Sequence, residues 1–415
     1  MSTQDPQTAS SSAEQTSSPQ RRRTGTIGTG VAIAIAIVLL LVGIGAGYFI
    51  GAYLTKTSSS KTQITETGSS LLYPLMNIWG PNFTSQVNSN IVLSTDSTGS
   101  GTGQSYAEQG LIDIGASDGY LSNASTSSLV NVPVAISAQL VVYNIPGLSA
   151  GTHLNLNGSI LAMIYAGVIT TWNNPLIVAA NPGVSLPTNT IVPFVRSDSS
   201  GDTFLFSSLC YMSWAGWTYG YSTKAFANTA VKWTGEMGNT GMVGAVTTTA
   251  YSIAYVGISY EKSVTGISGV NWAAVGDAAA NSASGGVNAT NYVLPSAATI
   301  GQDANLALSN LQFASYGLSI SLILGGASNG QAINITLGGG GKLPTTQYPT
   351  PYPITNLEYT LVKTTSRPNT AAFVQFLEWA ISFGNLPVYL NQVNFVPLTS
   401  DIVGLDMQEL SGIQL

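Results

Sequence analysis

Beyond residue 62 the sequence predicts an α/β fold with largely parallel sheets. Short apolar runs of strand length alternate with helical stretches, the pattern of strands and helices packed in layers. Three Gly/Ser/Thr-rich turns each lie between a strand and a helix. At 415 residues the chain can bury a sizeable core in two or three domains.

Residues 1–30 are rich in Ser, Thr and Gln and predict a disordered segment. Arg21-Arg22-Arg23 then precedes residues 31–54, which carry no charge. At about 1.5 Å of helical rise per residue that run spans a bilayer. The arginines belong on the cytoplasmic side, so the bulk of the chain is expected on the extracytoplasmic face of a single membrane anchor. A cleaved signal peptide is the alternative, but its apolar part normally runs only about 7–15 residues. Residues 55–61 form a polar tether.

Strands are expected at Gln63–Glu66, Ile91–Ser94, Ile112–Ala116, Ala138–Asn144 and Ile191–Val195. Helices are expected at Leu71–Phe83, Gln104–Gln109 and Ala371–Phe383, the last clearly amphipathic. Gly338–Gly341 and the proline-rich Tyr348–Pro353 look like an irregular crossing between lobes. Asn-x-Ser/Thr sequons at Asn82, Asn123, Asn157, Asn288 and Asn334 are compatible with glycosylation of an exported domain.

Composition removes several classes of function. Charged residues are 7% of the chain, against about 25% in typical soluble proteins. Net charge is −6 and no basic stripe interleaves with aromatics, so nucleic-acid binding is not expected. A lone cysteine, Cys210, in an apolar helical stretch reads as a buried structural thiol. A lone histidine, His153, leaves no material for a His-based metal site or a Ser-His-Asp triad. No metal, cofactor or enzymatic activity is expected.

The chemistry concentrates in the three turns. They are Thr67-Gly-Ser-Ser70, Thr98-Gly-Ser-Gly-Thr-Gly103 and Arg196-Ser-Asp-Ser-Ser-Gly-Asp-Thr203. Each places hydroxyls and backbone N–H groups where a helix begins, which is where free donors and the positive dipole end favour an anion. Arg196 adds a planar fork suited to two oxygens of a tetrahedral oxyanion. Asp118, at the end of Asp113-Ile-Gly-Ala-Ser-Asp118, is the odd member. An acceptor-only carboxylate in an anion site admits a protonated oxyanion such as phosphate and clashes with an unprotonated one such as sulfate.

These segments together resemble the substrate-binding protein of the high-affinity phosphate ABC importer, a class II periplasmic-binding-protein fold. The resemblance runs from about Ile64 to Val403. It rests on Gly68-Ser-Ser-Leu-Leu-Tyr-Pro74, Gly99-Ser-Gly-Thr-Gly103, Asp113–Asp118, Tyr143-Asn-Ile-Pro-Gly147 and Ile164–Trp172. Arg196–Gly201, Pro353-Ile-Thr355 and Phe376-Leu-Glu-Trp379 complete it.

The resemblance implies two lobes, 62–143 plus 355–405 and 144–354, with a 406–415 tail and phosphate held between them. It implies donors at Ser70, the Leu71 amide, Ser100, Ser200 and Gly201, with Ser69 in support. Asp118 would accept the ligand proton, and Arg196, braced by Asp198, would make the charge-assisted pair. The closed form would deliver phosphate to membrane permease subunits and their ATPase. Asp202 departs from the family, which usually has a threonine there. Its backbone N–H is expected to serve the ligand while its side chain, favoured by the helix dipole, points away. The sharper alternative makes Asp202 a second proton acceptor, favouring dihydrogen phosphate. The rival functions are a binding protein for another oxyanion (sulfate or arsenate) and a surface-layer or adhesive protein.

Overall fold

The computed structural model describes residues 61–121, 124, 128–224, 233–276, 292–301, 327–328, 331–332 and 352–415. Strand β1 (Thr62–Gly68) pairs in parallel with β2 (Ile91–Ser97) and β3 (Ile114–Ser117). Helix α1 (Tyr73–Gln86) joins β1 to β2, with a proline in its first turn where the missing N–H costs nothing. Helix α2 (Ser100–Gln109) joins β2 to β3 and stops at Gly110, whose left-handed backbone (φ 70°) ends the helix.

Strand β4 (Leu129–Asn144) has all sixteen residues buried, as its near-continuous apolar run requires for a strand covered on both faces. It is followed by α3 (Gly158–Tyr165), β5 (Val192–Arg196), α4 (Gly201–Ser213), β6 (Thr234–Glu236), α5 (Gly238–Thr248), β7 (Ser252–Gly257) and β8 (Val270–Trp272). The C-terminal part supplies β9 (Thr355–Lys363), α6 (Thr370–Ile381) and α7 (Ser400–Ser411).

Among the described residues these nine strands form one sheet in the order β2-β1-β3-β9-β4-β7-β5-β6, with β8 also on β4. The wings are parallel, as the alternation of strands and helices implies. The centre is not: β9 runs antiparallel to β3 and β4, and β4 runs antiparallel to β7 and β8. The sheet is therefore mixed rather than largely parallel.

Strand β4 also begins nine residues earlier than the expected start at Ala138. Pro133 interrupts the sequence signal there, since proline cannot donate to a ladder. The structure accommodates it with a register shift between Glu358 and Tyr359 of β9, which face Ala135 and Pro133 respectively. Along β4 the partner changes at one step. Ala138 is the last residue paired with β9, and Gln139 is the first paired with β7.

One apolar core runs under the whole sheet. On one side Phe83 of α1 meets Phe376 of α6 edge to face, with ring centroids 5.4 Å apart. The expected tail from residue 406 is instead the second half of α7, with Asp406 and Leu410 buried, and beyond it Ile413 is buried too. Asn157 is also buried; its side chain accepts from the Ile160 amide at 2.8 Å and caps α3, so this sequon is closed to glycosylation in the folded chain.

The expected disordered segment, membrane anchor and tether lie outside the described residues, as do most of the expected crossing and the sequons at Asn123, Asn288 and Asn334. Among the described residues no helix is long and apolar enough to cross a membrane.

Candidate functional site

The carboxyl ends of β1, β2 and β5 carry the three turns, and that of β3 carries Asp118. Strand β1 ends at Gly68 with φ +143°, and a side chain there would run into the Ala116 backbone of β3. The next residue ties the turn to β3, the Ser69 amide donating to the Ala116 carbonyl at 3.0 Å. Its hydroxyl accepts from the Leu72 amide at 2.9 Å, capping the start of α1, and donates to the Asp118 carboxylate. Ser70 points the other way. Its hydroxyl oxygen accepts from the backbone N–H and the side-chain amide of Asn239, at 3.1 and 3.0 Å, at the start of α5.

Asp118 lies just past β3 and is 1% exposed. Its backbone N–H donates to the Ser100 hydroxyl at 3.2 Å, so the second turn reaches the same point. Its carbonyl accepts from the Asn356 side chain of β9. Gly201 packs against the Asp118 side chain so closely that a Cβ would overlap it. The third turn is thereby locked against the other two.

Arg196 closes β5 and is 1% exposed. Its Nε donates to Asp198 Oδ1 at 2.7 Å and its Nη2 pairs with Asp198 Oδ2. The remaining arm, Nη1, pairs with Asp202 Oδ2 at 2.8 Å. Ser200 caps α4 through the Thr203 amide at 3.4 Å. The Arg196 amide donates to the Tyr255 hydroxyl at 2.9 Å, which holds the β5 end against β7.

The expectation that the Asp202 side chain points away is corrected. Its carboxylate is fully buried and faces inward, accepting from Arg196, from Asn239 at 2.7 Å and from Gln139 at 3.1 Å. A helix dipole offers a few tenths of a kcal/mol to about 1 kcal/mol. A charged fork and two amides inside the protein offer far more, and the side chain turns to them.

Electrostatically the site is crowded with carboxyls. Asp198 is held below the usual carboxylate range: burial works against its charge, but its bonds to Arg196 outweigh that. Burial pushes Asp202 up to about 7, and the nearby Asp118 charge adds to this while Arg196 opposes it. Asp118 is also raised by burial. Glu358 of β9, 0% exposed, is raised well above the ordinary glutamate value, by burial and then by Asp118. The Arg196 guanidinium is held charged against its own burial by Asp198 and Asp202.

The structure thus brings Ser69, Ser70, Ser100, Asp118, Arg196, Ser200, Gly201 and Asp202 into one buried cluster with the half-buried Asp198 at its edge; Leu71, adjoining Ser70, is itself buried. Sequence reasoning missed Gln139, Asn239, Tyr255 and Glu358. Gln139 and Glu358 did carry a signal, each being a lone amide or acid inside an apolar strand run. The two residues set aside stay apart. Cys210 is buried in α4, and His153 lies tilted against Trp272 with ring centroids 4.9 Å apart.

Such a cluster can grip a tetrahedral oxyanion with one guanidinium, several hydroxyls and helix-start amides, opposite carboxyls that accept ligand protons. Known proteins are consistent with this geometry. The phosphate-binding protein PstS of Pasteurella multocida (strain Pm70) is 29% identical over 370 residues, which cover 85% of this chain and 92% of that protein. PstS of Haemophilus influenzae (strain Rd) is 32% identical over 220 residues, covering 52% and 64%.

Among solved structures, a high-affinity periplasmic phosphate-binding protein (PfluDING) with bound phosphate superposes with a TM-score of 0.59 at 18% identity, covering 83% of this chain and 92% of that one. The phosphate-binding protein of Stenotrophomonas maltophilia gives 0.52 at 17% identity, covering 84% and 93%. These two likenesses establish the fold alone. The PBP superfamily domain matches residues 55–382, and the chain belongs to that superfamily.

Proposed function

We propose that this chain is an extracytoplasmic binding protein that captures inorganic phosphate and delivers it to an ABC-type importer. The observation that carries the reading is one buried guanidinium, Arg196, set among three donor turns that also converge on Asp118. Ser70, the Leu71 amide, Ser100, Ser200, Gly201 and the Asp202 amide are the donors. Arg196 makes the charge-assisted pair and Asp118 accepts the ligand proton. Relatives named as phosphate-binding proteins support the choice of ligand.

Asp118 separates phosphate from sulfate, because an unprotonated oxyanion would leave two buried acceptors facing each other. The proposed role is capture and delivery without hydrolysis. The lobes are 62–143 plus 355–405 and 144–354, with permease subunits and their ATPase receiving the ligand. Residues 31–54 would tether the chain to the membrane. Calorimetry of the purified chain should show tight phosphate binding and no sulfate heat. A folded chain that takes no phosphate, or takes sulfate equally well, would falsify the reading.

A further inference from the structure

Glu358 has no place in the ligand set above, yet it is the most deeply committed acid of the site. It stands on β9 beside the register shift, facing Ala135 of β4, where Val134 is the extra residue between Ala135 and Pro133. It is fully buried. Its Oε1 accepts from the Ser137 hydroxyl of β4 at 2.5 Å. Its Oε2 lies 3.5 Å from the Ser69 hydroxyl that also donates to Asp118. The two carboxyls therefore converge on one hydroxyl, and the charge of Asp118 acts directly on Glu358.

Two carboxylates this close in a dry site cannot both be ionised, so the pair holds one proton. The charged groups acting on it are Arg196, with Asp198 behind it, and Asp202. Asp118 has Ser69, Ser100 and Arg196 to stabilise its charge. Glu358 has Ser137, while Asp118 and Asp202 both oppose its ionisation. The proton therefore rests on Glu358 and the charge on Asp118.

We propose that Asp118 and Glu358 act as a single acceptor carrying one negative charge, which makes Glu358 a specificity-determining residue of the oxyanion site. This rests on the phosphate reading above. Its consequence is that removing Asp118 alone does not neutralise the acceptor side. Glu358 is then free to ionise in its place and to go on excluding an unprotonated dianion.

The test uses sulfate, which keeps both charges and no proton across the pH range, in an Asp202→Thr background that removes the other titrating acid. With Asp118→Asn added, sulfate affinity should fall at least about tenfold from pH 5 to pH 9, as Glu358 loses its proton and regains a charge. With Asp118→Asn and Glu358→Gln together, sulfate should bind with the same affinity at both ends, within about twofold. A cooperative melt of each variant reports an intact fold.

A flat sulfate profile for the protein retaining Glu358 overturns the proposal. So does an unchanged slope after Glu358→Gln, or a refusal of sulfate by the doubly neutralised protein while it still melts cooperatively. None of these touches the phosphate reading, which fails only if the unsubstituted chain does not bind phosphate.

Discussion

Two strand-to-helix turns of the same backbone design face each other in this molecule and are equipped in opposite ways. The turn after β1 is neutral: Ser69 caps a helix and Ser70 receives two N–H groups from Asn239. The turn after β5 is charged, with Arg196 clasped by Asp198 and Asp202. A helix start supplies amide donors in both, so backbone geometry alone does not distinguish them. Affinity for an anion is therefore concentrated on the charged turn, while the neutral turn fixes how the pieces meet.

The hardest blow to that contrast is Arg196→Ala. It removes the guanidinium and leaves Asp198 and Asp202 facing each other without a cation. Phosphate binding in calorimetry should vanish, and stability should drop by about 3–5 kcal/mol in denaturant titration, as when one partner of a buried ion pair is deleted. Binding that survives within tenfold would place the anion elsewhere.

Asp202→Thr sharpens the same side. Asp202 sits at about 7, so below that pH it is protonated and leaves Arg196 to the ligand. Above it, the ionised carboxylate takes the Nη1 arm, and binding must draw in a proton. The phosphate affinity of the threonine variant relative to wild type should be constant below about pH 6 and rise roughly tenfold per pH unit above 7. A ratio that does not move with pH removes Asp202 from ligand protonation.

On the neutral turn, Ser70→Ala leaves two N–H groups of Asn239 without their acceptor, at a cost of about 1–3 kcal/mol. Phosphate affinity should fall about tenfold by the same measure. A loss as large as that of Arg196→Ala would erase the distinction between the turns.

The smallest effect belongs to the strand feeding the neutral turn. Glu66 of β1 is 3% exposed and is pushed up to about 8 by burial; its bond to Thr95 opposes this and Asp96 adds to it. An acid raised in the folded state keeps its proton there while the unfolded chain gives it up. Stability therefore declines between the ordinary glutamate value and pH 8. Glu66→Gln should raise Tm by a few degrees at pH 9 and leave it unchanged at pH 4. An equal shift at both would mean packing rather than charge.

The turns, the guanidinium and Asp118 were legible in the sequence because each is local: a few residues whose types fix the backbone and the chemistry. The parallel wings were legible for the same reason, since each strand is followed by its own helix. What escaped notice is non-local. The antiparallel centre depends on β9 returning between β3 and β4. The inward turn of Asp202 depends on Gln139 and Asn239, which arrive from other elements. Glu358 becomes an acid of the site only when its strand reaches Ser69 and Ser137.

Strand β4 carries a consequence for how the molecule is made. Residues 129–138 await residues 355–363 as their antiparallel partner, whereas residues 139–144 find theirs within 252–257. During N-to-C synthesis the wing built on β5 and β7 can assemble early, while residues 129–138 of a buried, largely apolar strand stay unpaired until the chain is nearly finished. Pairings this distant along the chain form slowly. The middle of the sheet, on which the binding cluster is mounted, is thus the last part to mature, and the growing chain carries its stickiest segment uncovered for most of its emergence.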